Sequence, residues 1–211
     1  MKTVIVCNGS VEDYEALKIF FDRADYIISA DGGARHLRRM GIAPHILMGD
    51  FDSAHSGDMK YFADRGIEIY RFPVEKDMTD SELAIEMALE KGADEIVLLA
   101  ATGTRLDHSA ANIFLLKKLM DRGIKACIAD EYNRVFMSDR SFTVEAIDGY
   151  KLSLIPISDK VTGVSTNGLK YPLNNATMTL GTSWGISNEF LEETASVEVE
   201  EGILLVCLSR D

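Results

Sequence analysis

The chain has 211 residues, enough for one large domain or two small ones. Its 34 Asp and Glu residues outnumber its 22 Lys and Arg residues, and the net charge of −12 argues against a nucleic-acid partner, which needs clustered cations. No apolar run reaches the roughly 18–20 residues of a membrane-spanning helix, so we expect no membrane association. The three cysteines lie far apart without CxxC spacing, which favours reduced thiols in a cytoplasmic protein.

Strand and helix patterns alternate over the first part of the chain. Thr79 and Glu82 form a capping-box pattern at the start of one predicted helix, and further helices are expected from Ser10, over 56–65 and from about Asp107. The predicted strands cover 3–7, 26–30, 45–48, 67–72, 95–101 and 125–130. This alternation predicts an α/β domain with a mostly parallel six-stranded sheet and helices on both faces.

The pattern changes after about residue 133. The segments that follow are short, rich in Val, Ile, Thr and Leu, and separated by Gly, Asn, Asp or Pro, with no helix-length pattern between them. Such segments predict an all-β sandwich of antiparallel strands. We therefore expect an α/β domain of residues 1–133 followed by a β-sandwich domain of residues 134–211.

Acidic and glycine-rich clusters follow four successive predicted strands. Each cluster taken alone could be an ordinary turn or helix cap, where Asp and Gly are common. Because the carboxyl ends of parallel strands lie along one edge of a sheet, we expect the four clusters to converge there. The residues concerned are Asp31, Gly32, Gly33, Asp50, Asp52, Asp77, Asp80, Arg105, Asp107 and His108.

Converging carboxylates need a cation, since a like-charge pair at about 4 Å costs on the order of 4 kcal/mol at an effective dielectric near 20. An oxygen-rich set without a His or Cys cluster suits Mg²⁺, which usually joins protein carboxylates to substrate phosphates. Neighbouring glycines would let backbone amides approach a phosphate, and Arg105 offers a fork-shaped partner for its oxygens. The clusters therefore predict Mg²⁺–nucleotide phosphotransfer, although the GxxxxGK[ST] and GxGxxG patterns are absent from the sequence.

Six short motifs, in order along the chain, resemble those of the thiamine pyrophosphokinase family. They are "ADGGA", "GDFDS", "DMTD", "GTRLDH", "NGLKYPL" and "GISNEF". The resemblance implies a homodimer that uses ATP and Mg²⁺ to convert thiamine into thiamine diphosphate, with release of AMP. It also implies that thiamine lies between the α/β domain of one subunit and the sandwich of the other.

The resemblance and the chemistry of the side chains together suggest roles for individual residues. Arg105 would steady the polyphosphate, and either Asp80 or Asp107 would accept the proton of the thiamine alcohol as it attacks the β-phosphorus. The expected metal ligands are Asp50, Asp52, Asp77, Asp80 and Asp107. The expected nucleotide-binding residues are Asp31, Gly32, Gly33, Asp50, Thr79, Arg105 and His108. The expected thiamine-binding residues are Asp80, Tyr171, Trp184, Ser187 and Asn188.

Plainer alternatives exist for some of these residues and for the function. Tyr171 and Trp184 could belong to the sandwich core, and His108 could be an ordinary residue at a helix start. Pyrophosphoryl transfer to another alcohol, such as a hydroxymethyl pterin, would use the same acidic clusters with a different acceptor pocket. A non-catalytic module that senses Mg·ATP is a third possibility. The two C-terminal motifs favour thiamine over a pterin, and thiamine-dependent release of AMP would exclude the non-catalytic module.

Overall fold

The computed structural model of the chain describes residues 1–51, 56–73, 75 and 77–211. The chain divides into two units, Met1–Glu131 and Tyr132–Asp211. This division lies two residues before the one expected after residue 133. Among the described residues, no helix is both long enough and apolar enough to cross a bilayer.

The first unit combines strands with helices. Its strands are β1 (Lys2–Val6), β2 (Tyr26–Ala30), β3 (Ile46–Gly49), β4 (Glu68–Arg71), β5 (Glu95–Leu99) and β6 (Lys125–Ala129). Its helices are α1 (Tyr14–Lys18), α2 (Ala34–Met40), α3 (Ser56–Ala63), α4 (Asp80–Glu90) and α5 (Leu106–Asp121). The strands pair in parallel in the order β4-β3-β2-β1-β5-β6.

Helices cover both faces of these parallel strands. Val6 of β1 shares an apolar cluster with Leu17 of α1, Leu37 of α2 and Phe62 of α3. Ile5 is fully buried and points to the opposite face, because side chains alternate along a strand. Helix α4 contacts β1, β2 and β3, and it also packs against α5. Because the helices cover both faces of the sheet, polar side chains can gather at the edge formed by the carboxyl ends of the strands.

The second unit, all of whose residues are described, is built from strands without helices. Its strands are β7 (Asn133–Ser138), β8 (Phe142–Glu145), β9 (Lys151–Pro156), β10 (Lys160–Asn167), β11 (Ala176–Thr179), β12 (Thr194–Glu198) and β13 (Leu204–Ser209). They pair antiparallel as β7-β13-β9 and as β11-β10-β12-β8. Alternate residues of β13, among them Leu204 and Val206, share one core with Leu152 of β9, Val161 of β10 and Val197 of β12. Both strand groups therefore bury their apolar faces in the same core, as in a sandwich.

One local prediction is wrong, and one strand was not predicted. Helix α1 begins at Tyr14 rather than Ser10, and Asp13 is its N-cap, accepting hydrogen bonds from the N–H groups of Glu15 and Ala16. Strand β7 was not predicted, because its polar start and half-buried residues lack a clear apolar alternation.

The predicted capping box of α4 is only half formed. Thr79 caps the helix by accepting a hydrogen bond from the N–H of Glu82 at 3.2 Å. The carboxylate of Glu82 pairs instead with Lys118 at 2.8 Å. The helix still begins where the sequence pattern placed it, because one of the two bonds is enough to mark the start.

Candidate active site

A pocket of about 460 Å³ opens at the carboxyl ends of β1, β2 and β5. The strand order changes direction between β1 and β5, and open α/β sheets bind ligands in the crevice formed at such a point. The lining comes from the segments after these strands, from α2 and from the starts of α4 and α5. Its described residues are Asn8, Gly9, Ser10, Ala30, Asp31, Arg35, Thr79, Asp80, Ser81, Ala101, Thr102, Gly103, Thr104, Arg105, His108 and Ser109.

The segments after β1 and β5 are held against each other at this pocket. The N–H of Gly9 donates to the carbonyl of Ala100 at 2.7 Å, and the N–H of Ser10 donates to the carbonyl of Thr102 at 2.9 Å. From the other side, the buried amide of Asn112 donates to the carbonyl of Ala101 at 2.7 Å. These bonds join the segments that form two walls of the pocket.

Residues with a left-handed backbone lie in this region and in the motifs. Asp31 has a φ of 47° and Ala100 a φ of 50°, directly after β2 and β5. Phe51 of "GDFDS" and Ser187 of "GISNEF" have φ values of 61° and 59°. Such conformations cost about 1–3 kcal/mol in residues with a Cβ atom and concentrate at functional sites. Three of the six motifs therefore carry an unusual backbone as well as polar side chains.

The carboxylates of Asp31 and Asp80 both line the pocket. The side-chain amide of Asn8 donates to the Asp31 carboxylate at 3.4 Å. Asp80 is the first residue of α4 and follows the cap residue Thr79, which also lines the pocket. Two acidic side chains from separate segments thus share one crevice, as the position of their motifs at strand ends predicts.

A buried thiol lies behind Asp80. The hydroxyl of Ser81 donates to Sγ of Cys7 at 3.4 Å. Burial raises the pKa of Cys7 to about 11, with a smaller contribution in the same direction from the charge of Asp80, while the Ser81 hydrogen bond opposes the rise. The thiol is therefore protonated at neutral pH and is a poor nucleophile.

Arg105 and Asp107 form a two-pronged ion pair. The Arg105 guanidinium donates to the Asp107 carboxylate at 3.2 Å through Nε and at 2.6 Å through Nη2. This hydrogen bonding lowers the pKa of Asp107 to about 2 and raises that of Arg105. Arg105 and His108 line the pocket, whereas Asp107 does not. The ion pair occupies one position on each carboxylate oxygen of Asp107 and lowers its basicity.

The other predicted site residues of the first unit either do not line this pocket or lie outside the described residues. Gly32 and Gly33 are buried beneath the pocket, Asp77 is exposed, and Asp50 is half-buried after β3; none of these four lines the pocket. Asp52 lies outside the described residues. Their assignments to metal and nucleotide stay predictions.

The oxygen atoms of the pocket suit Mg²⁺. Among residues 1–51, 56–73, 75 and 77–211, no group of three or more His, Cys, Asp or Glu is placed to hold a metal ion. Mg²⁺ needs fewer protein ligands, because it is usually held by one or two carboxylates together with substrate phosphates. Asp31 and Asp80 line the same pocket as Thr79 and Thr102, which is compatible with a site of this kind.

His36 is buried behind the wall formed by Gly9. Its Nε2 donates to the Gly9 carbonyl at 3.0 Å and its Nδ1 accepts from the Tyr14 hydroxyl at 2.8 Å, the tautomer that satisfies both partners. Burial lowers the pKa of His36 to about 4, and the charge of Arg35, whose Nε lies 3.2 Å from Nε2, acts in the same direction. The neutral imidazole thus anchors the segment after β1.

His36 should make the protein less stable in mild acid. An unfolded histidine takes up a proton near pH 6.5, whereas folded His36 does so only near pH 4, so stability is lost as the pH falls through this window. The loss between pH 7 and pH 5 should be about 2 kcal/mol. Urea unfolding at both pH values, compared with His36→Gln, measures it. An equal pH dependence in the two proteins would contradict the assignment.

The motif residues of the second unit are partly structural and partly exposed. The Asn188 side chain accepts from the N–H of Tyr171 at 3.0 Å and donates to its carbonyl at 2.8 Å, which joins the two C-terminal motifs. The N–H of Ser187 donates to the hydroxyl of Ser153 at 2.9 Å. Tyr171 is 59% exposed and Trp184 is 53% exposed, so neither ring belongs to the sandwich core. Both rings are accessible to a ligand.

The segment after β1 also contributes to the pocket, but the acidic clusters in the sequence did not predict it. Asn8, Gly9 and Ser10 line the pocket beside Thr102, yet none of them carries a carboxylate. The signal was present in "CNGS", which directly follows the first predicted strand. The carboxyl-end rule alone would have selected it.

Two family models match the chain. Residues 17–128 match the model described as "Thiamin pyrophosphokinase, catalytic domain". Residues 141–204 match the model described as "Thiamin pyrophosphokinase, vitamin B1 binding domain". The first match covers most of the unit that holds the pocket, and the second lies within the β-sandwich unit.

Individual relatives match over the full length. Thiamine pyrophosphokinase of Bacillus subtilis (strain 168) is 34% identical over 214 residues, with 100% of both chains covered. A crystal structure of the Bacillus subtilis protein superposes with a TM-score of 0.92 at 32% identity, again over 100% of both chains. One from Geobacillus thermodenitrificans gives 0.87 at 33% identity, over 100% of this chain and 98% of that one. On this evidence the chain belongs to the thiamin pyrophosphokinase family of transferases.

Proposed function

We propose that the chain transfers the pyrophosphoryl group of ATP to the hydroxyethyl oxygen of thiamine, giving thiamine diphosphate and AMP. The observation that carries this proposal is the pocket in which Asp31, Asp80 and Arg105 come together at the carboxyl ends of the strands. The match of the second unit to a vitamin B1 binding domain supports thiamine, rather than a pterin alcohol, as the acceptor.

Charge neutralisation is the main task of the pocket residues. Asp31 and Asp80 would hold Mg²⁺, with Asp50, Asp52 and Asp77 as further candidates. When bound, Mg²⁺ neutralises phosphate oxygens and aligns them for in-line displacement. Arg105 has N–H groups beyond the two that bind Asp107, and these can donate to non-bridging phosphate oxygens.

Asp80 is the better candidate to receive the proton of the thiamine alcohol. The hydroxyl oxygen attacks the β-phosphorus, and the bond from that phosphorus to the oxygen shared with the α-phosphate breaks as AMP leaves. The Asp107 carboxylate is held by Arg105, and its pKa of about 2 makes it a weak base. The Asp80 carboxylate lines the pocket and can accept the proton directly.

An exposed ring of the second unit can hold the cationic thiazolium. The Tyr171 ring already has a cation close by, because Nζ of Lys170 lies 5.5 Å from its centroid. Trp184 is the larger ring and among the described cation–ring contacts it has none. We therefore favour Trp184 over Tyr171 as the stacking partner of thiamine.

The assembly and the location of the protein are part of the same proposal. The family resemblance of the motifs supports a homodimer, which sedimentation would test. The three cysteines, Cys7, Cys127 and Cys207, are thiols rather than disulfides, which is the usual state in a reducing compartment. We propose a cytoplasmic location on this ground.

The test of the proposed reaction is the release of AMP. Purified protein, ATP and MgCl₂ are incubated with and without thiamine, and AMP and thiamine diphosphate are quantified together. Equal amounts of the two products, formed only with thiamine, would support the proposal. AMP release that is independent of thiamine, or no release at all, would reject it.

A further inference from the structure

A second pocket, of about 630 Å³, adjoins the first in the same unit. The two pockets share Gly9, Ser10 and Arg35 in their walls. The second is further lined by Arg38 and Arg39 of α2, among others, and we call it the basic pocket. A group bound in the basic pocket would therefore lie next to a ligand of the first.

The basic pocket has more positive than negative charge. Arg38 is neutralised by Asp58, which lies 2.8 Å away and also lines the pocket. In the part of the chain that the structure describes, neither Arg35 nor Arg39 forms an ion pair with a carboxylate. His36 is neutral at physiological pH. Two uncompensated guanidinium groups thus face one pocket in a chain of net charge −12, which favours an anionic ligand.

Both of these guanidinium groups are already held in place. Nη2 of Arg35 donates to the carbonyls of Asn8 at 3.0 Å and Gly9 at 2.9 Å, on the wall shared by the pockets. Nη1 of Arg39 donates to the Tyr14 hydroxyl at 3.2 Å, and the guanidinium lies 5.2 Å from the centroid of that ring. Each keeps further N–H groups for a ligand, and fixed guanidinium forks suit phosphate oxygens.

We propose that the basic pocket binds the phosphate that AMP retains, so that Arg35 and Arg39 stabilise the leaving group. This inference rests on the proposed function. When the bond from the β-phosphorus to the bridging oxygen breaks, that oxygen keeps the electron pair and stays on the α-phosphate. The α-phosphate gains negative charge at that moment, and the pyrophosphoryl group remains with Asp31, Asp80 and Arg105. Two fixed cations beside the α-phosphate would favour this step.

Arg39→Gln tests the inference, because Arg39 lines only the basic pocket. AMP binding is measured by titration calorimetry at fixed salt, and kinetics with ATP are measured in parallel. We expect at least tenfold weaker AMP binding and a shallower salt dependence. Arg65→Gln is the matched control, since Arg65 also packs on a tyrosine, 3.6 Å from the Tyr61 ring centroid, but lines neither pocket. It should bind AMP within twofold of the wild type.

Arg39→Lys keeps the positive charge and loses the fork-shaped guanidinium group. Its loss of AMP affinity should therefore be smaller than that of Arg39→Gln. This variant replaces Arg39→Gln in the test if Arg39→Gln fails to fold. AMP affinity within twofold of wild type in both Arg39 variants overturns the inference. The inference is also overturned if the Arg39 variants bind inorganic phosphate more weakly but bind AMP as the wild type does. In that case the pocket binds a free anion and not the phosphate of the nucleotide. The proposed function fails separately, through absence of thiamine-dependent AMP release by the wild type.

Discussion

Asp80→Asn is expected to lower thiamine-dependent AMP release by about 10²–10³-fold, the usual loss when a group that stabilises transition-state charge is removed. Asp80 lines the pocket from the first turn of α4, where its carboxylate can both hold Mg²⁺ and accept the alcohol proton. The amide of Asn keeps the shape, but without the negative charge it binds Mg²⁺ more weakly and cannot accept the proton. Steady-state turnover at saturating ATP, thiamine and MgCl₂ measures the effect.

The fold should survive this change. Asn is tolerated at a helix start, and losing the favourable charge there costs only about 0.3–1 kcal/mol. Glu90→Gln is the matched control, because Glu90 is an exposed carboxylate at the other end of the same helix and lies outside the pocket lining. We expect it to keep at least a third of the wild-type turnover. Near-normal turnover of Asp80→Asn, or an equal loss in Glu90→Gln, would contradict the placement of the site.

The order of strands and helices could be predicted from the pattern of apolar residues along the sequence. Parallel strands buried on both faces must be apolar throughout, so runs such as "TVIVC" and "EIVLLAA" stand out between amphipathic helices. The antiparallel unit is indicated by short segments in which buried and less buried residues alternate, such as β13. Strand β7 was not predicted, because four of its six residues are only half-buried and its apolar residues show no regular alternation.

The site was predictable in position and less so in composition. The carboxyl-end rule predicts that the motif residues converge, and Asp31, Asp80, Arg105 and His108 do line one pocket, while their roles stay predictions. Asp107, predicted from the cluster after the fifth strand and from the motif "GTRLDH", pairs with Arg105 and does not line the pocket, so its role stays a prediction. The search for acidic clusters omitted Asn8 and Gly9, whose contribution depends on hydrogen bonds across loops. The contacts themselves cannot be read from the sequence, although the position of "CNGS" directly after the first predicted strand marks the segment.

The two glycines of "ADGGA" illustrate the same limit. Their presence suggested a backbone that approaches a phosphate, and the structure gives a different physical reason for them. A Cβ atom on Gly32 would lie 2.2 Å from the side-chain oxygen of Asn8, and one on Gly33 would lie 2.0 Å from the main-chain oxygen of Val6. Both distances are far below van der Waals contact. The glycines allow the turn after β2 to pack directly against β1.

Gly33→Ala should therefore destabilise the protein strongly. The nearest atoms that the new methyl group would meet belong to the main chain of Val6, a buried residue of a strand that is paired on both sides. Overpacking of this kind costs about 3 kcal/mol or more when the neighbour cannot move. At this chain length the melting temperature should fall by roughly 6–12 °C. Urea unfolding gives the free energy and a thermal scan gives the midpoint.

Gly57→Ala is the matched control for this substitution. Gly57 lies in α3, and the nearest atom to a Cβ there would be Nη1 of Arg38 at 3.8 Å, an ordinary contact. Because alanine is favoured over glycine in helices by up to about 1 kcal/mol, stability should be unchanged or slightly raised. If Gly33→Ala and Gly57→Ala unfolded alike, the glycine would not be needed for packing against β1, and a role of its N–H group in binding phosphate would regain support.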